Sequence, residues 1–397
     1  MNDLKSRRKR RTALQTMFSV FFALYPILCI YKAFFRFTIG DVFLMFFLAL
    51  GMINPPRQDS RIIPAVIFLS YTSLFFAANL FGHVMDNSLA ATYFFRLAKL
   101  IFYFLSAYVC GKKYFDIYVF KKTVMAVGLC TAAFIVFQYV AYYSMGRIVL
   151  GRIPFLQVYE EDYIIDNYQD LLDRTFRPSS FMLEPATLCQ YMVVPLVYTL
   201  YSNSMRGKRK FLLSAIFIVT MVLSTSGQGV LYIAVILVLY TFTGVKRKRY
   251  AVGILIVAVT AAVFMYFAVE PFRFAADRLL YGTDALNARI GSYKYLDMDT
   301  VGFIFGKGYG SLPYDEYFAG AAYVWYGCGV VGVALVTLLF GWLFVKAPGR
   351  KARMLCVLFF VMFWATSLFY SNMLFWYITL ILFSRESRGK RIRYDEE

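Results

Sequence analysis

Two stretches of this 397-residue chain hold the side chains best suited to chemistry. The first is RTFRPSSFMLEPATLCQY, residues 174–191, with Arg174, Arg177 and Glu184 set between two prolines. The second is ARIGSY (288–293) and FGKGYGSLPYDEYF (305–318), with Arg289, the glycines 306, 308 and 310, and several tyrosines. Arginine forks onto phosphate or carboxylate oxygens, and a glutamate can accept a proton. A metal is not expected. His83 stands alone in a short loop, and the cysteines 29, 110, 130, 189, 328 and 356 lie in or beside apolar runs with no CxxC pair.

The surroundings decide what those groups face. Some 60% of the residues are hydrophobic and 20% aromatic, with mean hydropathy +0.59. A soluble domain has no interior large enough for that apolar surface, so the class is a polytopic membrane protein. The net charge of +19 fits basic loops on the cytoplasmic face, and no nucleic-acid partner is expected. The basic run KSRRKRR ahead of a long apolar stretch, with no small-residue cleavage site, reads as a retained first span with its N-terminus in the cytoplasm.

A helix needs about 20 apolar residues to cross the hydrocarbon. Apolar runs fall at 13–33, 38–54, 62–82, 91–110, 122–143, 185–203, 211–225, 228–244, 250–269, 318–345, 354–370 and 372–384. This predicts an all-α membrane domain over 1–397 of about 12 transmembrane helices, within a range of about 10–13. Alternating the spans from a cytoplasmic N-terminus puts every dense Lys/Arg cluster on one face: 57–61, 112–113, 121–122, 206–210, 246–249, 346–353 and 385–393. Both termini are then cytoplasmic, and two large loops, 144–184 and 270–317, lie outside as ordered caps.

Pro178 disfavours helix at Arg177, and Pro185 suits a first helical turn. Residues 174–183 therefore read as irregular backbone descending to a helix that starts near Glu184-Pro185. Two accounts of the charges stand. Arg177 and Glu184 line a polar pocket at the lipid boundary, or Glu184 caps a helix and Arg177 snorkels to headgroups. The alternating glycines 306, 308 and 310 are no Walker A loop; they make a close-approach turn or a phosphate nest. The aromatic set around Tyr309, Tyr323 and Trp325 forms an interfacial belt or stacks on sugar rings. Arg96 and Lys99 interrupt span four, either facing the interior or marking a helix end.

Three features in order resemble the Wzy-type polysaccharide polymerases, relatives of the O-antigen ligases. RPSSFMLEP (177–185) is similar to the segment ending that family's first large outer loop. STSGQG (224–229) is similar to its short Ser/Thr-Gly turn between the next two spans. Arg289-x-Gly-Ser-Tyr, FGKGYG and YGCGVVG (326–332) are similar to its second large loop and the span after it. The resemblance covers the C-terminal part of the chain; the first five spans share only hydrophobicity. It implies a GT-C-like, metal-independent and cofactor-free glycosyltransferase of the bacterial cytoplasmic membrane. Such an enzyme joins undecaprenyl-diphosphate-linked oligosaccharide repeat units into capsular polysaccharide, exopolysaccharide or O-antigen on the outer face. Its partners are that lipid-linked oligosaccharide, the bilayer, and the flippase and chain-length regulator of the same pathway.

The resemblance implies roles for residues. Arg177 and Arg289 clamp the leaving diphosphate, which gathers negative charge as the anomeric C–O bond breaks. Glu184 takes the acceptor hydroxyl's proton or holds Arg177. Arg174, Ser180, Ser226, Gly306, Gly308, Tyr309 and Tyr323 bind substrate. A ligase of the same superfamily is the nearest alternative, disfavoured because residues 311–325 lack the histidine expected there. A flippase or transporter of lipid-linked sugars is the alternative of a different class. It is disfavoured by the absence of repeat symmetry and of midplane charge.

Overall fold

The computed structural model describes residues 12–57, 59–82, 89–158, 176–202, 204–244, 248–280, 292–312 and 318–384. The protein is mostly helical. Helix α1 spans Ala13–Leu28 and α2 Ile39–Met52, joined by a hairpin of β1 (Lys32–Phe34) and β2 (Phe37–Thr38). Then follow α3 (Ile63–Phe81), α4 (Ala90–Tyr114) and α5 (Ile117–Met145). After the first large loop come α6 (Pro185–Leu200), α7 (Gly207–Leu223), α8 (Gly227–Thr243) and α9 (Lys248–Ala268). The second loop region carries α10 (Glu270–Leu280) and α11 (Thr300–Phe305). The C-terminal part holds α12 (Gly320–Lys346), α13 (Arg350–Ala365) and α14 (Met373–Phe383).

Four described helices are long and apolar enough to cross a membrane: Ser60–Phe81, which includes a 3-10 turn before α3, Ala90–Tyr114, Ile117–Met145 and Gly320–Lys346. A fifth counts if the bent pair Val259–Ala268 and Glu270–Asp277, at 106°, is one span. The others are shorter than the apolar runs suggest. The 13–33 run ends its helix at Leu28, because the Thr38–Asp41 capping box begins a new helix and forces residues 29–38 into a tight reversal. The 354–384 run breaks at Thr366, whose extended backbone and side-chain cap open a 3-10 turn, Ser367–Tyr370, ahead of the 11-residue α14. An 11-residue helix rises about 16 Å, roughly half the hydrocarbon thickness.

Hydrogen bonds sort the helix ends into two groups. At one end, Gln15 Nε2 donates to the Lys113 carbonyl, Lys113 Nζ to the Asn54 carbonyl, and Arg61 Nη1 to the Leu382 carbonyl. The hydroxyls of Tyr198 and Ser384 meet there, and Lys210 Nζ donates to the Tyr240 hydroxyl. That end collects the starts of α1, α3 and α7 and the ends of α2, α4, α6, α8 and α14. At the other end, the Lys32 N–H donates to the Gln157 carbonyl and Arg36 Nη2 to the Thr92 hydroxyl. There too Gln138 Nε2 donates to the Val149 carbonyl, and the Gly320 N–H to the Thr366 carbonyl. Helix α6 is the centre of the bundle: every residue from Leu188 to Leu200 is buried. It packs on α5, α7, α8 and α13.

The end that holds Arg61 also holds Asp59, whose carboxylate accepts from Arg61 Nε and Nη2 at 2.8 and 2.6 Å. Those hydrogen bonds pull the Asp59 carboxyl from its ordinary 3.8 down to about 2, against the opposing effect of burial. A carboxyl with a depressed folded-state pKa stabilises the fold above its unfolded value, and the contribution fades as pH falls through the folded value. Asp59→Asn is therefore expected to lower the melting temperature of the detergent-purified protein by a constant amount between pH 5 and 8. That gap from wild type should close between pH 4 and 2, as thermal melts across the range would report.

Candidate functional site

The segment from Phe176 to Glu184 lies where two parts of the bundle meet. It is irregular, as Pro178 requires, and it is buried: Phe176, Pro178, Ser179, Ser180 and Met182 are all enclosed. Ser180 takes a left-handed backbone, φ 53, at a cost of about 1–2 kcal/mol for a residue with a side chain. Its surroundings hold it there. The Ser180 N–H donates to Gln138 Oε1 at 3.0 Å and its hydroxyl to the Thr131 carbonyl at 3.1 Å. On the other side Gly151 touches the Ser180 carbonyl so closely that a Cβ would sit 1.9 Å from it. The N–H and hydroxyl of Ser180, a residue expected to bind substrate, are used within the protein, where they anchor the segment to α5.

That anchoring sets Arg177 and Glu184 at the head of α6. Arg177 is half-buried. It stands close enough to the Cys189 thiol, one turn inside α6, for its charge to act on it. The Ser224 hydroxyl lies 3.1 Å from Cys189 Sγ, and the Ser226 hydroxyl also reaches that thiol. Helix α6 starts at Pro185, as the prolines predict, with Glu184 in the cap position in extended conformation. The Glu184 carboxylate makes no cap hydrogen bond to the helix, and no ion pair joins it to Arg177 among the described residues.

Beneath Arg177 lies a buried polar layer. The turn STSGQG places Ser224, Thr225, Ser226 and Gln228 all inside. Thr225 is a second left-handed residue, φ 54. Gln190 Nε2 donates to Gln228 Oε1 at 3.3 Å, and the Tyr232 hydroxyl donates to the same oxygen at 3.1 Å. The Tyr377 hydroxyl donates to the Gln190 carbonyl at 2.7 Å. Gly229 sits against Cys189, where a Cβ would approach Sγ to 2.7 Å. Strained non-glycine residues on both sides of one arginine, held by buried hydrogen bonds, are what a pre-organised site looks like. Arg177 and Ser226 thus converge on Cys189, while Glu184 stands at the start of the same helix.

The second predicted segment forms a different cluster. Gly306, Gly308 and Gly310 have φ of 83, 99 and 88, so the turn reading holds. The N–H groups of Gly306, Lys307 and Gly308 donate to the carbonyls of Gly302, Tyr326 and Gly327. No backbone donor is left over at Gly306 or Gly308 for a phosphate; the glycines bring the loop backbone against α12 instead. Gly329, φ 66, completes that contact from the helix side. Tyr309 and Tyr323 are buried and meet edge to face at 5.2 Å. They pack inside the protein, at the glycine loop. Arg174 and Arg289 lie outside the described residues.

Arg96 and Lys99, which interrupt the fourth apolar run, bond within the protein, and other polar residues carried little signal in the sequence. Arg96 Nη1 donates to the carbonyls of Gly310 and Leu312, so it latches the second loop to α4. Lys99 faces Asp41 at 3.6 Å and donates to the Arg36 carbonyl. Asp41 is fully buried and also accepts from the hydroxyls of Tyr25 and Tyr103. The signal for Asp41 was present: Thr38-x-x-Asp41 is a capping box at the start of an apolar run. Gln138 and Gln190 were readable only as polar residues inside spans, and Gln228 only as part of the STSGQG turn. Among the described residues, no three His, Cys, Asp or Glu side chains gather as a metal site. No protein-family model matches the chain, and no curated protein is similar to it.

The Gly306 contact gives a direct stability test. A Cβ at Gly306 would lie 2.4 Å from the Cys328 backbone nitrogen, whereas Gly253 has open space around it. Gly306→Ala is expected to destabilise the protein by about 2–4 kcal/mol. Gly253→Ala, in mid-helix, should be neutral or stabilising by up to about 1 kcal/mol. Detergent-resistance or thermal-melt assays on the two variants compare them.

Proposed function

We propose that this chain is a Wzy-type polymerase that joins lipid-diphosphate-linked oligosaccharide repeat units. The reading adds the finer topology to the membrane character of the helices. Twelve helical passages, α1 to α9 and α12 to α14, alternate between two ends. The end that gathers Arg57, Arg61, Lys112, Lys113 and Lys210 is cytoplasmic. The opposite end, with both large loops, faces outward in the bacterial cytoplasmic membrane. The alternation of hydrogen-bonded helix ends and the one-sided placement of the bases support this.

One observation carries the functional part. Arg177 and Glu184 flank the strained Ser180 in the segment that leads into the central helix, and that helix's Cys189 meets both Arg177's charge and the buried Ser224–Gln228 turn. In the proposed reaction the acceptor sugar's hydroxyl oxygen attacks the donor's anomeric carbon. The bond from that carbon to the diphosphate oxygen breaks, and the electron pair leaves with the diphosphate. The hydroxyl proton passes to Glu184. Arg177 from the first loop and Arg289 from the second hold the growing negative charge, in place of a metal. Arginine serves this better than lysine because its planar fork meets two phosphate oxygens together. The polyprenyl tail remains in lipid, which suits a site at the boundary.

The test is extension of defined undecaprenyl-diphosphate-linked repeat units by purified protein. Arg177→Ala and Arg289→Ala are expected to cut the rate by about 100-fold or more, with the protein still folded. Arg177→Lys should recover only part of it. Glu184→Gln should slow extension steeply. Polymer of normal length from the Lys variant at both positions contradicts the clamp. In cells lacking the gene, single repeat units should remain on lipid or at the surface. Loss of all surface glycan points to a flippase instead.

A further inference from the structure

The basic end of the bundle carries a cavity that the chemistry above does not use. An apolar crevice of about 150 Å³ opens between α3, α4, α12 and α14. Ala65, Leu69, Ile101, Phe104 and Leu339 are among its walls. Val66 and Leu105, also in its lining, are exposed on the outside of the bundle, so the crevice is open sideways. An apolar space of that size holds a benzene-sized apolar group. A run of methylenes from the surrounding bilayer fits the same chemistry.

The mouth of the crevice is polar and positively charged. Arg61 borders it, held by Asp59 and by the Leu382 carbonyl. Tyr108 lines it, and the Tyr108 hydroxyl donates to the Arg57 carbonyl at 2.7 Å. Lys112 Nζ lies 3.3 Å from that hydroxyl and 3.8 Å from the Asp59 carboxylate. The Arg61 and Lys112 side chains keep 31% and 26% of their surface exposed. Arg61 and Lys112 against Asp59 leave one positive charge in excess at the mouth, and Arg57, whose carbonyl borders it, is exposed. An apolar slot between helices, topped by surplus positive charge beside the bilayer, matches an anionic lipid and disfavours a zwitterionic one.

The geometry points to a binding site for one anionic phospholipid: an acyl chain in the α3–α4–α12–α14 crevice and the phosphate beside Arg61 and Lys112. The site rests on the membrane character of the bundle, and polymerase activity is not needed for it. It grips α3, α4, α12 and α14 together, so its occupancy should brace those four helices.

The experiment is native mass spectrometry of the full-length purified protein with added phosphatidylglycerol or phosphatidylcholine. Wild type is expected to retain phosphatidylglycerol preferentially. Lys112→Gln should reduce that preference about five-fold, the effect of one basic residue near a charged lipid surface. Ala65→Phe, which fills the crevice, should abolish retention of either lipid there. Lys112→Gln sits at the surface and keeps the test meaningful if the Phe variant fails to fold. Equal retention of the two lipids by wild type, or unchanged preference in Lys112→Gln, overturns the proposal. Competition by glycerol phosphate alone also overturns it, because the acyl chain would then contribute nothing.

Discussion

Backbone that leaves its helix within a membrane protein must find polar partners inside the chain, because lipid offers none. The rest of the candidate site depends on how residues 176–184 meet that demand. Gln138 answers it twice: its amide nitrogen donates to the Val149 carbonyl and its oxygen accepts from the Ser180 N–H. One side chain on α5 thereby pins both ends of the first loop's described backbone. With Ser180 fixed in a left-handed conformation, the segment leads into α6 with Arg177 near Cys189, which the Ser224 and Ser226 hydroxyls also reach. The second loop meets the same demand differently. It borrows carbonyls of α12 for its N–H groups and gives its own carbonyls to Arg96.

The two ends of the bundle thus do different physical work. One end is rich in lysine and arginine whose ammonium and guanidinium groups bond to helix-end carbonyls, as Lys113 does to Leu50, Gly51 and Asn54. Cations at a helix C-terminus are favoured by the helix dipole as well as by the lipid surface. The other end encloses one charge completely. Asp41 there is enclosed with Lys99, Tyr25 and Tyr103, a pairing whose loss would strand a charge away from water.

Much of this was legible in the sequence, and the reasons are local. Pro178 and Pro185 announce irregular backbone followed by a helix start, and α6 begins at Pro185. The STSGQG turn separates α7 from α8 where the small polar residues indicate. Helix lengths were less readable. Hydropathy alone does not distinguish a helix from an apolar hairpin, so the 13–33 run concealed the reversal at β1 and β2. The use of individual polar groups was not readable at all. Ser180 and Gly308 sit in suggestive motifs, yet their hydrogen-bonding groups are taken by partners on distant helices, Thr131, Gln138 and Gly327. Sequence spacing within one segment carries no record of such partners.

The central claim is that guanidinium groups from the two outer loops meet on one diphosphate above α6. A structure of the protein with a bound polyprenyl diphosphate tests it most directly. The account predicts phosphate oxygens about 3 Å from Arg177 and Arg289, within hydrogen-bonding distance of both. A diphosphate bound away from the head of α6, or touching neither arginine, contradicts it.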